Sequence, residues 1–419
     1  MSTSLKAGVA QNDLPAYAGL DLAGYGLRVQ PCTDVRDAVS VSALALQNEQ
    51  SLFILLSADA LGFAIDVADD IRIRIAGAAR EIGDWKDIQI CLAATHSHSA
   101  PATMNLRECG NVNSQWMNSA SDIIVQTAME SIGDLRPACL GATQMSVPGV
   151  AFNRRKSTFV DDELTILRVD HEEGKPLAMI ANFACHPVVL THENRSISAD
   201  YPGEVRRALQ AEYQIPVLFL TGAAGDINPV HRGENDELQQ TAAPLIDGTK
   251  LLWPQIETTS KVLLQGTSTQ LNLPLLNRPS RDELISTAAT APLSATRAWA
   301  EHALLTPSEA QLTVPCAIQV WQIGSIALVA IGCELFASLG LHIKSTYRTQ
   351  GIKSLLLATY ANGNLGYVPD AAAYERSGYE AGNAHHYYGQ PACVSPEAGE
   401  MILATASQTI RTAFEEPRA

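Results

Sequence analysis

Charge is scarce in this sequence, and basic charge is scarcer. Only 17% of the 419 residues are Asp, Glu, Lys or Arg, and acids outnumber bases 44 to 29, a formal net charge of -15. The one short basic run, Arg154-Arg155-Lys156, is isolated. Such an acidic chain argues against nucleic acid or an anionic membrane surface as partner. No stretch of about 18 apolar residues exists to span a bilayer, so no integral membrane segment is expected. Met1 to Leu14 lacks the apolar core of an export signal, and the expected compartment is the cytoplasm. The eight cysteines (32, 91, 109, 139, 185, 316, 333 and 393) form no paired framework. They read as small buried hydrophobes in a reducing compartment. Gly222-Ala223-Ala224-Gly225-Asp226 follows an apolar strand like a phosphate loop, but no Gly-Lys-Ser/Thr follows it, which excludes a P-loop. There is no internal repeat and no low-complexity segment.

What is present is apolar and patterned. The chain is 46% hydrophobic and long enough for a large core, in one big domain or two closely packed ones. Strands are expected at Leu52–Ser57, Ile88–Ala94, Leu164–Val169, Leu177–Ala184, Val217–Leu220 and Ser354–Ala358, with a hairpin over Val314–Ile331 turning at Gly324-Ser325. Helical patterns cover Asp66–Ile82, Ser119–Ile132, Tyr201–Tyr213, where Asp200 is a candidate cap, and Pro396–Phe414. The alternation predicts an α/β fold with a large mixed β-sheet core flanked by helices. Two more polar helical stretches, Asp236–Ile256 and Arg281–Leu305, are candidates for a helical cap at 235–310 on a single 1–419 domain.

The most informative segment is Thr95-His96-Ser97-His98-Ser99-Ala100-Pro101, at the end of the strand Ile88–Ala94. Residues two apart share a strand face, so both imidazoles can project into one pocket. Imidazole is a common zinc ligand and titrates near neutral pH. His186, after Leu177–Ala184, and Glu334, after Ile326–Ile331, again put ligand-type residues at strand ends. Each alone reads more readily as an ordinary loop histidine, a core histidine or a first-turn carboxylate; the recurrence after three strands points to a metal-assisted hydrolase. Cys185 and Cys333 adjoin these residues, but strand alternation turns their thiols away from the same pocket.

An ordered set of segments resembles the catalytic domain of the neutral/alkaline (non-lysosomal) ceramidases, in particular the shorter bacterial members. It begins with Ala23-Gly24-Tyr25-Gly26 and residues 95–101, then Phe152-Asn153-Arg154, Asn182-Phe183-Ala184-Cys185-His186 and Ile197-Ser198-Ala199-Asp200-Tyr201-Pro202-Gly203. Gly222 to Pro229, Gly332-Cys333-Glu334, Gly366-Tyr367-Val368-Pro369 and Gly378-Tyr379-Glu380-Ala381-Gly382 complete it. The resemblance implies a Zn2+ cofactor held by His96, His186, Glu334 and Tyr367, with His98, Arg154 and Tyr379 as catalytic residues in the same pocket. It implies hydrolysis of an amide, N-acyl or related, in a small-molecule or lipid-like substrate. An ester, lactone or lactam, or a non-catalytic metal- or ligand-binding role, are the alternatives. Where the family carries serine in its Gly-Asp-x-Ser-Pro segment, this chain has Asn228, a very poor nucleophile. Asn228 is expected either to hydrogen-bond the substrate or to shape a turn before Pro229. The C-terminal β-sandwich of the larger ceramidases is not expected to accompany this catalytic domain. The Gly- and Tyr-rich segment Tyr360–Cys393 is expected to be a functional loop. Within it, His385-His386-Tyr387-Tyr388 reads as a solvated loop tip, with a substrate wall as the alternative.

Overall fold

The computed structural model describes residues 4–305, 313–348 and 351–414. Two sheets lie face to face. The larger has eight strands in the order Val217–Thr221, Pro176–Phe183, Glu163–His171, Arg136–Ser146, Lys6–Asp13, Ser40–Gln47, Ser51–Ala58, Asp87–Ala94. Its outermost pair at each end is parallel and the rest are antiparallel, so the sheet is mixed. The smaller sheet runs Leu264–Pro274, Thr313–Ile323, Ile326–Ile331, Ser354–Ala358. Its first three strands are antiparallel, including the expected hairpin, and the last two pair in parallel.

Strand alternation explains the layering. In Ser51–Ala58, Leu52, Ile54 and Leu56 pack with Ile71, Ile75 and Ala79 of the helix Ile65–Ile82 and with Trp116 and Ile124 of the helix Ser114–Gly133. Phe53 and Leu55 point the other way, onto Trp321, Ile326 and Leu356 of the smaller sheet. Val217 and Phe219 likewise meet the helices Asp200–Tyr213 and Glu237–Leu252, whereas Leu218 and Leu220 enter the layer between the sheets. The outer face of the smaller sheet is covered by Ala337–Arg348 and Ala398–Phe414. Because both faces of these strands are covered, they read as continuous apolar runs rather than as alternating ones. The architecture is α/β with a large mixed sheet flanked by helices, as expected, and the second sheet makes it a four-layer sandwich.

Three local expectations change. The helix at 119–132 begins earlier, at Ser114, because the Asn113 side chain accepts from the Trp116 amide and caps it. Asp200 does not cap in the ordinary way: it lies at φ 56°, and its carboxylate accepts from the Tyr201 amide and from Val189 and Leu190, tying the loop after His186 to the helix start. Tyr360–Cys393 is not irregular throughout. It holds the two-residue strand Tyr367–Val368 and short helices at Ala371–Glu375, Tyr379–Gly382 and His385–Tyr388. Among the described residues, no helix is long and apolar enough to cross a membrane. All eight cysteines are free thiols, seven of them buried.

Candidate metal centre

The carboxyl ends of strands from both sheets converge on one site. Asp87–Ala94 leads to His96, Pro176–Phe183 to His186, Val217–Thr221 to Gly222–Asn228, Ile326–Ile331 to Glu334 and Ser354–Ala358 to Tyr360. Hydrogen bonds sew these ends together. Thr221 Oγ1 donates to Thr95 O at 2.7 Å, the Thr359 amide to Thr221 O at 3.0 Å and Asn182 Nδ2 to Leu357 O at 2.9 Å.

His96 and His98 meet in this pocket, but not through strand alternation. The strand stops at Ala94, and His96 sits at φ 69°, in the left-handed region that a residue with a Cβ seldom occupies. The conformation is held by its surroundings: the Thr95 and His96 amides donate to Ala58 O and Ala60 O at 2.9 and 2.8 Å. The His96 ring then lies edge-on to His98, centroids 4.9 Å apart, and stacks on Tyr360 at 3.9 Å. Gly24, at φ +93°, lets the chain lie against His98, since a Cβ there would come within 2.3 Å of Nδ1.

The two rings expected as ligands are oriented alike. His96 Nδ1 is 2.5 Å from Leu61 O, and His186 Nδ1 is 2.5 Å from Ala224 O. A carbonyl can only accept, so each Nδ1 carries the proton and each Nε2 presents a lone pair. These Nε2 atoms lie 3.1 Å apart, and 3.2 and 3.3 Å from Glu334 Oε2. Glu334 Oε2 is buried with no hydrogen-bond partner. Three acceptor-type atoms thus face one another in a buried pocket, an arrangement that could hold a cation between them. His98 Nε2 is 3.3 Å from His96 Nε2, and the donor atoms of His96, His98 and His186 all lie within 4.8 Å of one another. Cys185 and Cys333 are buried in the apolar layers on either side and take no part.

Electrostatics agrees with the geometry. Burial holds the His98 imidazole well below its ordinary pKa and pulls His186 down to about 4. Burial drives the Tyr367 phenol upward, helped by Glu334.

Arg154 organises the opposite wall. Its Nε donates to Glu380 Oε1 at 2.8 Å, and its two terminal nitrogens to Asn228 Oδ1 at 3.3 Å, Gly225 O at 2.8 Å and Tyr367 Oη at 3.2 Å. Arg155 takes the other Glu380 oxygen at 2.7 Å. The Gly-Asp segment therefore serves as a scaffold. Ala224 O orients His186, Gly225 O holds Arg154, and Asp226 accepts from Asn153 and the Ala337 amide. Gly225 is required by close approach, since a Cβ would lie 2.6 Å from Glu334 O. Asn228 does not shape a turn. It lies in the short strand Ile227–Pro229, opposite Phe152, because that ladder aligns it with Arg154. Tyr379 packs edge-on against Tyr367 at 5.6 Å and is 42% exposed, at the mouth.

Of two further residues at the site, the sequence does not single out Tyr360, and it marks Tyr388 only within a loop tip or, alternatively, a substrate wall. Tyr360 is fully buried under His96, with a hydroxyl that has no partner. Tyr388 donates its hydroxyl to Glu334 Oε1. The expected loop tip at 385–388 is instead packed. His386 lies against Trp299 with centroids 4.1 Å apart, and Tyr388 borders a groove of about 540 Å³ with Ile65, Met104, Leu106, Val314 and Leu365. Aromatic residues among Gly and Asn carry no periodic signal from which packing can be read.

The chain is a mixed-sheet α/β sandwich with a buried imidazole–carboxylate cluster at its strand ends, and the three imidazoles of that cluster could hold a metal ion. Residues 6–217, half of the chain, match the model for the N-terminal part of neutral/alkaline non-lysosomal ceramidase, and the chain belongs to that family. Neutral ceramidase B of Dictyostelium discoideum is 21% identical over 198 residues, which cover 40% of this chain and 28% of that protein. The chain thus matches less than a third of that relative's length. The crystal structure of neutral ceramidase from Pseudomonas aeruginosa superposes on all of this chain and 76% of its own, with a TM-score of 0.77 at 16% identity. A ceramidase structure complexed with C2 gives 0.77 at 15%. At these identities the superpositions establish the fold.

Proposed function

We propose that the protein is a zinc-dependent hydrolase of an amide bond, N-acyl in type, in a substrate with an apolar arm. The observation that carries the reading is the lone-pair triangle of His96 Nε2, His186 Nε2 and Glu334 Oε2, with edges of 3.1 to 3.3 Å. A tetrahedral zinc with bonds of roughly 2.0–2.1 Å requires ligand–ligand edges of about 3.3 Å. In this reading His96, His186, Glu334 and Tyr367 hold zinc. Zinc bound there would supply a water acidified toward neutral pH and a Lewis acid for the carbonyl.

The side chains supply the rest. His98 is kept neutral by burial and sits beside the cluster, so it accepts the proton of the attacking water and passes it to the departing amine. Arg154 stays charged: burial opposes this, but Tyr367 and Glu380 outweigh it. With Tyr379 at the mouth, it orients the amide and stabilises the developing oxyanion. Asn228 Oδ1 is engaged by Arg154, which leaves its Nδ2 free to donate to substrate. The groove beside Tyr388 accommodates the apolar arm. Of the expected cap at 235–310, the helices Arg281–Thr290 and Ser294–Leu305 remain as a cap over that side, in contact with 385–388 through Trp299, whereas Glu237–Leu252 packs on the larger sheet and Leu264–Pro274 is a strand of the smaller.

The test is a panel of N-acyl amides of graded chain length, small amides, lactams and esters, run with protein of measured zinc content. Turnover of N-acyl amides that rises with chain length supports the reading. Turnover of small esters alone places the activity on another bond, and zinc-loaded protein inactive on the whole panel supports a non-catalytic binding role.

A further inference from the structure

Tyr388 lies outside every motif that carries the family resemblance, yet it touches the centre of the site. We propose that Tyr388 is a positioning residue that fixes the plane of the Glu334 carboxylate, so that Oε2 faces the two imidazoles. The proposal rests on the metal-centre reading above.

The two oxygens of Glu334 are unequally placed. Oε1 accepts from the Tyr388 hydroxyl, whereas Oε2 has no protein partner and faces His96 and His186. A carboxylate's terminal torsion is broad and sets no preferred plane by itself. Buried as Glu334 is, with 1% exposure, its plane is set by what Oε1 is tied to. The phenol that ties it is held from two sides. Gly366, at φ +101°, lies against the ring, where a Cβ would come within 2.9 Å of a ring carbon. The Tyr367 ring meets it edge-on, centroids 6.4 Å apart at 89°. Tyr388 also lines the apolar groove, so one side chain is both groove wall and support for a metal ligand. Partners that orient a ligand in this way typically change metal affinity by about 10–100-fold.

The experiment measures zinc affinity by competition with a chromophoric chelator for wild type, Tyr388→Phe, Tyr374→Phe and His186→Ala, with visible spectra of the Co2+-substituted proteins. Tyr374→Phe is the control: it also removes a phenol hydrogen bond, to Val394 O, away from the cluster. Tyr388→Phe is expected to weaken zinc binding by about 10–100-fold and to shift the Co2+ bands, with Tyr374→Phe like wild type in both. An affinity and spectrum unchanged in Tyr388→Phe overturn the proposal. So does a loss as large as that of His186→Ala, which would make Tyr388 a ligand. A wild type that binds no zinc overturns the metal-centre reading itself, and this inference with it.

Discussion

Glu334 and Tyr367 are register partners in a parallel ladder only two residues long, and the Glu334 amide donates to Gly366 O at 2.8 Å. Two residues 33 positions apart thereby present their side chains from adjacent strands. This ladder links the end of the smaller sheet to the Gly- and Tyr-rich segment. It explains why a carboxylate and a phenol from unrelated stretches of sequence reach one pocket.

The histidine pair divides by role. His96→Ala removes a ring whose Nδ1 is fixed on Leu61 O and whose Nε2 belongs to the lone-pair triangle. It is expected to lose most bound zinc, as is His186→Ala. His98→Ala is expected to keep zinc and lose turnover by about 100-fold or more, the range for a general acid–base group. Elemental analysis alongside kcat checks both, and equal metal loss in the two variants would refute the role given to His98.

Asn228 stands where the resemblance places the family's serine, so no acyl-enzyme is expected there. Asn228→Ala should retain activity with a loss of roughly 10–1000-fold, as for removal of an oxyanion donor. Asn228→Ser should be tolerated sterically. Mass spectrometry under substrate excess, with 18O-labelled water in a single turnover, should find label in the acid product and no adduct on the protein. A substrate-derived adduct that turns over to product would contradict direct attack by water.

The Asp59–Arg206 pair is the buried brace of the His96 turn. Both terminal guanidinium nitrogens reach the carboxylate, at 2.9 and 2.6 Å, and Asp59 also accepts from the Ser40 amide and from Thr95 Oγ1. Removing one partner leaves an uncompensated buried charge, so Arg206→Met should destabilise the fold by about 3–5 kcal/mol. Chemical denaturation measures this. Because Thr95 precedes His96, the variant should also bind zinc more weakly under conditions where it remains folded.

The packing of His385 and His386 against Trp299 gives a pH dependence. Burial lowers His385 to about 3 and His386 to about 4, the latter with help from Arg107. The folded state therefore binds fewer protons than the unfolded chain. Their contribution is complete above the unfolded pKa of about 6.5 and is lost as pH falls from there toward 4 and 3. Hydrogen exchange over 294–305 and 385–388 should quicken across that window relative to the sheet. A uniform response would remove this local account.

Much of this was legible in the sequence because strand ends are marked by apolar runs that stop, and His96, His186 and Glu334 each follow one. The His96–His98 pairing follows from spacing, but its cause, the left-handed turn at His96, is set by tertiary hydrogen bonds that the Thr95 and His96 amides donate to Ala58 O and Ala60 O. The strands Lys6–Asp13, Ser40–Gln47, Arg136–Ser146 and Leu264–Pro274 carry too many Ser, Gln, Gly or Ala residues to stand out, and only pairing with neighbours defines them. Arg206 sits on a helix with nothing nearby in sequence to announce Asp59. Tyr360 and Tyr388 acquire meaning only when the two sheets meet.

The central claim is metal-dependent hydrolysis of an amide bond at this cluster, and the most direct measurement is hydrolysis of an N-acyl amide by chelator-stripped protein before and after zinc is returned. The account predicts that stripping abolishes release of the acid and that about one equivalent of zinc per chain restores it. Full activity in the stripped protein, measured with zinc absent by elemental analysis, would contradict it.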